Sequence, residues 1–145
     1  MALSTSTANR RADAETKRQL FDAARAAMKH AYVPGSDFPV GAAIRTVTGS
    51  IYSGCNIENT SYPEGWCAET TAISHMVMAG EKEIAEVAVV ARDMARITPC
   101  GGCRQRLAEF QSAETLVHLC DETGVVETIS LNQLLPAAFD LDART

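Results

Sequence analysis

From Asp13 to about His30, the apolar residues Leu20, Phe21, Ala24, Ala27 and Met28 recur three and four apart. That is the spacing of one face of an amphipathic helix. The stretch "VPGSD" at 33–37 breaks it. Two extended runs follow, "FPVGAAIRT" and "SIYSGCNI", joined at "VTGS", which predicts a hairpin. The polar stretch "NTSYPEGW" (59–66) predicts a loop, and a helical run from Cys67 to about Ala79 ends at Gly80. "IAEVAVVAR" (84–92) is short and rich in β-branched residues, the pattern of a buried strand. After Pro99, "CGGCRQRLAEF" predicts another helix. "TLVHLC" and "VVETISL", separated by the turn "DETG", predict two more strands, and "LNQLLPAAF" a short terminal helix. Strands alternating with helices, together with a hairpin, predict an α/β fold: a single three-layer domain with a mixed β-sheet flanked by helices. The expected domain runs from 13 to 145, and residues 1–12 are expected to form a polar, disordered lead-in.

Composition narrows the class. The chain has 145 residues, 46% of them apolar and 21% charged, with a formal net charge of −5. That length suits one core. No apolar run approaches the roughly 20 residues that span a bilayer, so no membrane partner is expected. The opening "MALSTSTANRRADAE" has no apolar core of a signal peptide, so export is not expected either. No block of Lys and Arg exceeds a pair, which argues against a nucleic acid polymer as partner and favours a small molecule. The odd count of five cysteines, Cys55, Cys67, Cys100, Cys103 and Cys120, points to reduced thiols in a cytoplasmic protein rather than a disulfide framework.

The cysteines carry the candidate chemistry. Cys100 and Cys103 alone fit a thioredoxin-like dithiol or half of a closed zinc finger. A finger needs a second such pair, and the sequence has none. Cys67, in "WCAETTA", stands at the start of one predicted helix as Cys100 and Cys103 stand at the start of the next. Helix N-termini favour thiolates. Three sulfur ligands with a fourth position left open make up a catalytic rather than a structural zinc site. Glu69, two residues after Cys67, is either a first-turn acid suited to the helix dipole or a proton carrier beside an activated water.

"FPVGAAI", "GCNIEN", "CAE", "PCGGCRQ" and "LLPAAF", in this order over roughly residues 20–140, resemble the small homotetrameric cytidine deaminases of the three-cysteine zinc type. The resemblance implies a zinc-dependent hydrolase of pyrimidine salvage. It would convert cytidine, and deoxycytidine as well, to uridine or deoxyuridine plus ammonia. Cys67, Cys100 and Cys103 would hold Zn²⁺, and Glu69 would carry protons from the attacking water to N3 and to the departing amine. Asn56 and Glu58 would bind the ribose, Phe38 would pack near base or sugar, and Tyr62 would lie near a subunit boundary. Phe139 would enter a neighbour's pocket, giving a homotetramer with shared active sites. Other readings are a deaminase of a different aminopyrimidine nucleoside or nucleoside antibiotic, and a structural zinc module without turnover. The chain departs from many relatives in having Thr70 where they have an arginine after the glutamate, and Gly35 where they have a tyrosine. Three thiolates around Zn²⁺ leave a net charge of −1, and Arg104 is the residue expected to offset it by donating to a thiolate sulfur.

Overall fold

The computed structural model describes residues 7–143, with side chains described from 13 to 142. Residues 1–6 of the expected lead-in lie outside this range. The first helix, α1, spans Thr7–Met28 and so begins before Asp13. Its early turns lie in a polar stretch of sequence, where no apolar stripe marks a helix.

The chain continues as β1 (Val40–Thr46), β2 (Ile51–Cys55), α2 (Ala68–Met78), β3 (Ile84–Ala91), α3 (Gly101–Glu109), β4 (Gln111–Asp121), β5 (Gly124–Ser130) and α4 (Leu131–Leu134). The five strands form one sheet in the order β2-β1-β3-β4-β5. Only β3 and β4 pair in parallel, and the other neighbours are antiparallel. The sheet is therefore mixed, as expected. The terminal helix is shorter than "LNQLLPAAF" suggests: it stops at Leu134, just before Pro136, which has no N–H to continue it. Ser130 and Gln133 start it with a reciprocal capping box.

Alternation along the strands sends side chains to opposite faces, and each face has its own apolar cluster. On one face Leu20, Phe21, Ala24 and Met28 of α1 pack on Ala43, Ala88, Val90 and Cys120. On the other, Ala68, Ala72, Ile73 and Met76 of α2 and Leu107 of α3 pack on Ala42, Ile44, Val87, Val89 and Val117. The result is three layers: helix, sheet, helices.

Two glycines set how closely the layers approach. A Cβ at Gly41 would lie 1.9 Å from the Ala24 carbonyl oxygen, so α1 rests directly on β1. A Cβ at Gly54 would lie 2.5 Å from the Ala72 nitrogen and 2.6 Å from the Ala68 oxygen, so α2 rests directly on β2. The Thr71 hydroxyl donates to the Cys55 carbonyl at 3.0 Å and ties the first turns of α2 to the end of β2.

The topology also decides where two helices begin. Gly41 of β1 lies opposite Cys55 on one side and Val90 on the other, so β2 and β3 end at the same edge of the sheet. Helix α2 starts from the loop beyond β2, and α3 from the loop beyond β3. Both helix N-termini are thus delivered to the edge formed by the carboxyl ends of these strands, where open α/β sheets bind ligands.

Candidate functional site

Cys67 is the N-cap of α2 and Cys100 the N-cap of α3; both have extended backbone, with φ −73° and −64°. Cys103 lies one turn into α3 and is buried. The three sulfurs lie within 4.8 Å of one another, and those of Cys67 and Cys100 are 4.0 Å apart. Ligand bonds of about 2.3 Å in tetrahedral geometry require sulfurs about 3.8 Å apart, so a slight contraction would seat a zinc ion. Among the described residues this is the one group of three metal-ligating side chains.

The cluster holds its thiols unequally. A hydrogen bond from Cys103 draws the Cys67 pKa down to about 6, with smaller help from Cys100 and Arg106. Cys103 moves the other way: its bond to Cys67 and its burial push it up. The Cys100 sulfur accepts the Cys103 backbone N–H at 3.5 Å, which satisfies one of the orphan donors at the start of α3.

Glu69 is 5% exposed and interacts with the Cys103 side chain. Burial raises its pKa, while Cys103 and Arg106 pull it back. An acid that served only the dipole of α2 would face solvent; this one faces the sulfur cluster.

Arg104 departs from expectation. Its guanidinium donates to the Pro99 carbonyl at 2.9 Å and the Leu134 carbonyl at 2.8 Å, holding the entry to α3 against the end of α4. Arg106 is the arginine at the sulfurs, donating to Cys103 Sγ at 3.8 Å and to Thr70 Oγ1 at 3.3 Å. Helix geometry explains the exchange. Residue i+1 is rotated about 100° away from residue i, whereas i+3 lies on the same face. The signal was present in "CRQR", as the second arginine three positions after Cys103.

The remaining candidates fall into two groups. Glu58 and Tyr62 line a cleft of about 700 Å³, together with Tyr32, Pro34, Gly35 and Ser36. One Glu58 oxygen accepts the Gly35 N–H at 2.8 Å and the Ser36 N–H at 3.2 Å. The Ser36 hydroxyl and these N–H groups hold its carboxyl below the usual carboxylate range. Beside it, Asn56 bridges the 38–40 backbone, accepting from Val40 N–H at 2.8 Å and donating to the Phe38 carbonyl at 2.9 Å. Phe38 is thereby fixed with its ring partly exposed. Phe139 is apart from this group. It is 71% exposed and lines a groove between the end of α3 and α4, where its carbonyl accepts from Gln105. Within one chain the fold therefore brings Glu58, Asn56, Phe38 and Tyr62 to one region and leaves Phe139 outside it.

Cys120, His75 and His118 are placed away from the cluster. Burial pushes the Cys120 thiol up to about 12. His75 Nδ1 meets the Ser53 carbonyl at 2.7 Å, and His118 is buried between Thr128 and Glu86. Trp66 pairs its backbone with Ile57 ahead of Cys67.

Comparison with known proteins places this geometry. The family described as "Cytidine and deoxycytidylate deaminase zinc-binding region" matches residues 14–119. The cytidine deaminase of Sporosarcina psychrophila is 43% identical over 121 residues, covering 83% of this chain and 89% of its own. That of Halalkalibacterium halodurans is 42% identical over 85% of this chain and 93% of its own. Among solved structures, the cytidine deaminase of Burkholderia pseudomallei superposes with a TM-score of 0.79 at 43% identity, covering 84% of this chain and 98% of that one. The Mycobacterium tuberculosis enzyme gives 0.77 at 36%, covering 86% and 97%.

Proposed function

The chain belongs to the zinc-binding cytidine and deoxycytidylate deaminase family, and on that premise we propose that it hydrolyses cytidine and deoxycytidine to the uracil nucleoside and ammonia. The observation that carries this reading is the convergence of three sulfurs within 4.8 Å beside a buried glutamate. Cys67, Cys100 and Cys103 hold the zinc. When bound, zinc supplies the Lewis acidity that makes a water molecule nucleophilic near neutral pH.

The chain's own residues do the rest. Glu69 takes a proton from the water that adds to C4 of the base and delivers it to N3. It then passes the second proton to the 4-amino nitrogen, the C4–N bond breaks, and ammonia leaves while the oxygen stays on C4. Burial of Glu69 keeps bulk water from competing for these protons. Asn56 and Glu58 take the ribose hydroxyls, with Tyr62 lining the same cleft and Phe38 held beside it by Asn56. Glu58 is anchored by two backbone N–H groups, so its carboxylate is set before substrate arrives.

The exposed Phe139 and Tyr62 support a homotetramer in which Phe139 completes a neighbour's site. Five cysteines without a disulfide support a cytoplasmic location. One zinc-loaded preparation tests the whole reading. Sedimentation is expected to give four times the chain mass, and cytidine to yield one ammonia per uridine. Zinc-loaded protein without turnover contradicts the deaminase reading, and full turnover at monomer mass contradicts shared sites.

A further inference from the structure

Resting on the proposed three-cysteine zinc site, we propose that Arg106, acting together with Thr70, is the positioning residue that sets the charge on the Cys103 sulfur. Three thiolates and one Zn²⁺ sum to −1, and Glu69 adds a further negative charge beside them. A site this electron-rich is a weak Lewis acid unless a cation or hydrogen-bond donors withdraw density from sulfur. Among the described residues, the arginine side chain recorded on one of these sulfurs is Arg106.

The geometry is specific. Arg106 Nη1 donates to both Cys103 Sγ, at 3.8 Å, and Thr70 Oγ1, at 3.3 Å. Thr70 Oγ1 is itself 4.0 Å from Cys103 Sγ. Because the Thr70 oxygen accepts from the guanidinium, its own O–H is free to point at the sulfur. One thiolate then receives two donors, one charged and one neutral, each oriented by the other. The guanidinium lies back along α3 over Gly102, where a Cβ would meet Nη1 at 3.5 Å, an ordinary contact. This path carries a cation toward the positive end of the α3 dipole, which is unfavourable without an anion at that end. The thiolate cluster is that anion. Position 70, where the sequence departs from many relatives, thus carries the hydroxyl that braces the arginine.

Cobalt(II) in place of zinc reads the sulfur charge directly, through the thiolate-to-metal charge-transfer band in the near ultraviolet. Donors on sulfur lower its electron energy, so their removal moves the band to longer wavelength. In Arg106→Gln, with one cobalt bound per chain, the band is expected to shift to longer wavelength. The zinc form should lose about 10–100-fold in kcat while KM changes by less than about threefold. Arg106→Lys should restore most of the band position and of kcat, and Thr70→Val should shift the band in the same direction by less. An unmoved band in Arg106→Gln overturns the proposal, even if activity falls. Should that variant not fold, an unmoved band in Thr70→Val overturns it equally. A wild-type cobalt protein without any thiolate charge-transfer band fails differently: it refutes the three-thiolate site and the Arg106 role together.

Discussion

Glu86 illustrates how much a single residue can carry away from the site. Its carboxylate meets the Arg45 guanidinium at 2.6 Å on one oxygen and His118 Nε2 at 3.3 Å on the other. An ionised carboxylate only accepts, so His118 Nε2 carries a proton toward Glu86, while Nδ1 shares a 2.8 Å hydrogen bond with the Thr128 hydroxyl. His118, followed by Arg45, holds the Glu86 carboxyl down at about 2, against an ordinary 4.5. A depressed acid stabilises the fold fully above its ordinary pKa and loses that contribution as pH falls toward its folded value. Glu86→Gln is therefore expected to cost about 2–3 kcal/mol at pH 7 and to flatten the fall in stability between pH 4.5 and 2. Urea midpoints at pH 7 and pH 3 check both. At this scale legibility followed chemistry. Cysteines and a glutamate at predicted helix starts stand out because ligation demands those residue types there. Arg106 was missed because adjacency to Cys103 favoured Arg104, whereas the helix turns i+1 away and brings i+3 round.

Elements were legible where their pattern had a reason to repeat. The buried strand β3 has the apolar, β-branched signature of a covered strand, β1 and β2 flank the turn signal that joins them as a hairpin, and both site helices begin at their cysteines. Some boundaries were not legible. The start of α1 carries no apolar stripe, and the end of α4 is decided by Pro136 rather than by the apolar residues beyond it. The close seating of α2 on β2 was also hidden, since a glycine inside a strand does not say what approaches it. Gly54→Ala places a methyl group against α2 backbone, which cannot rotate away. The helix must move, and Cys67 at its first turn moves with it. A loss of about 1–3 kcal/mol is expected, together with reduced zinc content at fixed metal supply. Gly124→Ala, where the added carbon meets nothing within 4 Å, should change neither. Thermal midpoints and metal analysis of both variants decide it.

At the scale of the whole molecule, the site is a product of topology. Cys67 and Cys100 are far apart in sequence and meet only because β2 and β3 end at one edge, each followed by a helix that starts there. The spacing of "PCGGC" nominated two ligands and the start of the other predicted helix nominated Cys67; that the three sulfurs meet is shown by the fold alone. Phe139 stays outside the cleft of its own chain. The acidic balance, with a net charge of −5, fits a small neutral nucleoside better than a polyanion. The central claim, that a three-sulfur zinc site with Glu69 beside it deaminates cytidine, is tested most directly by ammonia release from Glu69→Gln protein of measured zinc content. The account predicts one zinc per chain, an unchanged fold and a loss of at least about 100-fold in kcat, the lower range for removing a positioned general acid–base group. Turnover within a few-fold of the unsubstituted protein at full zinc occupancy would contradict it.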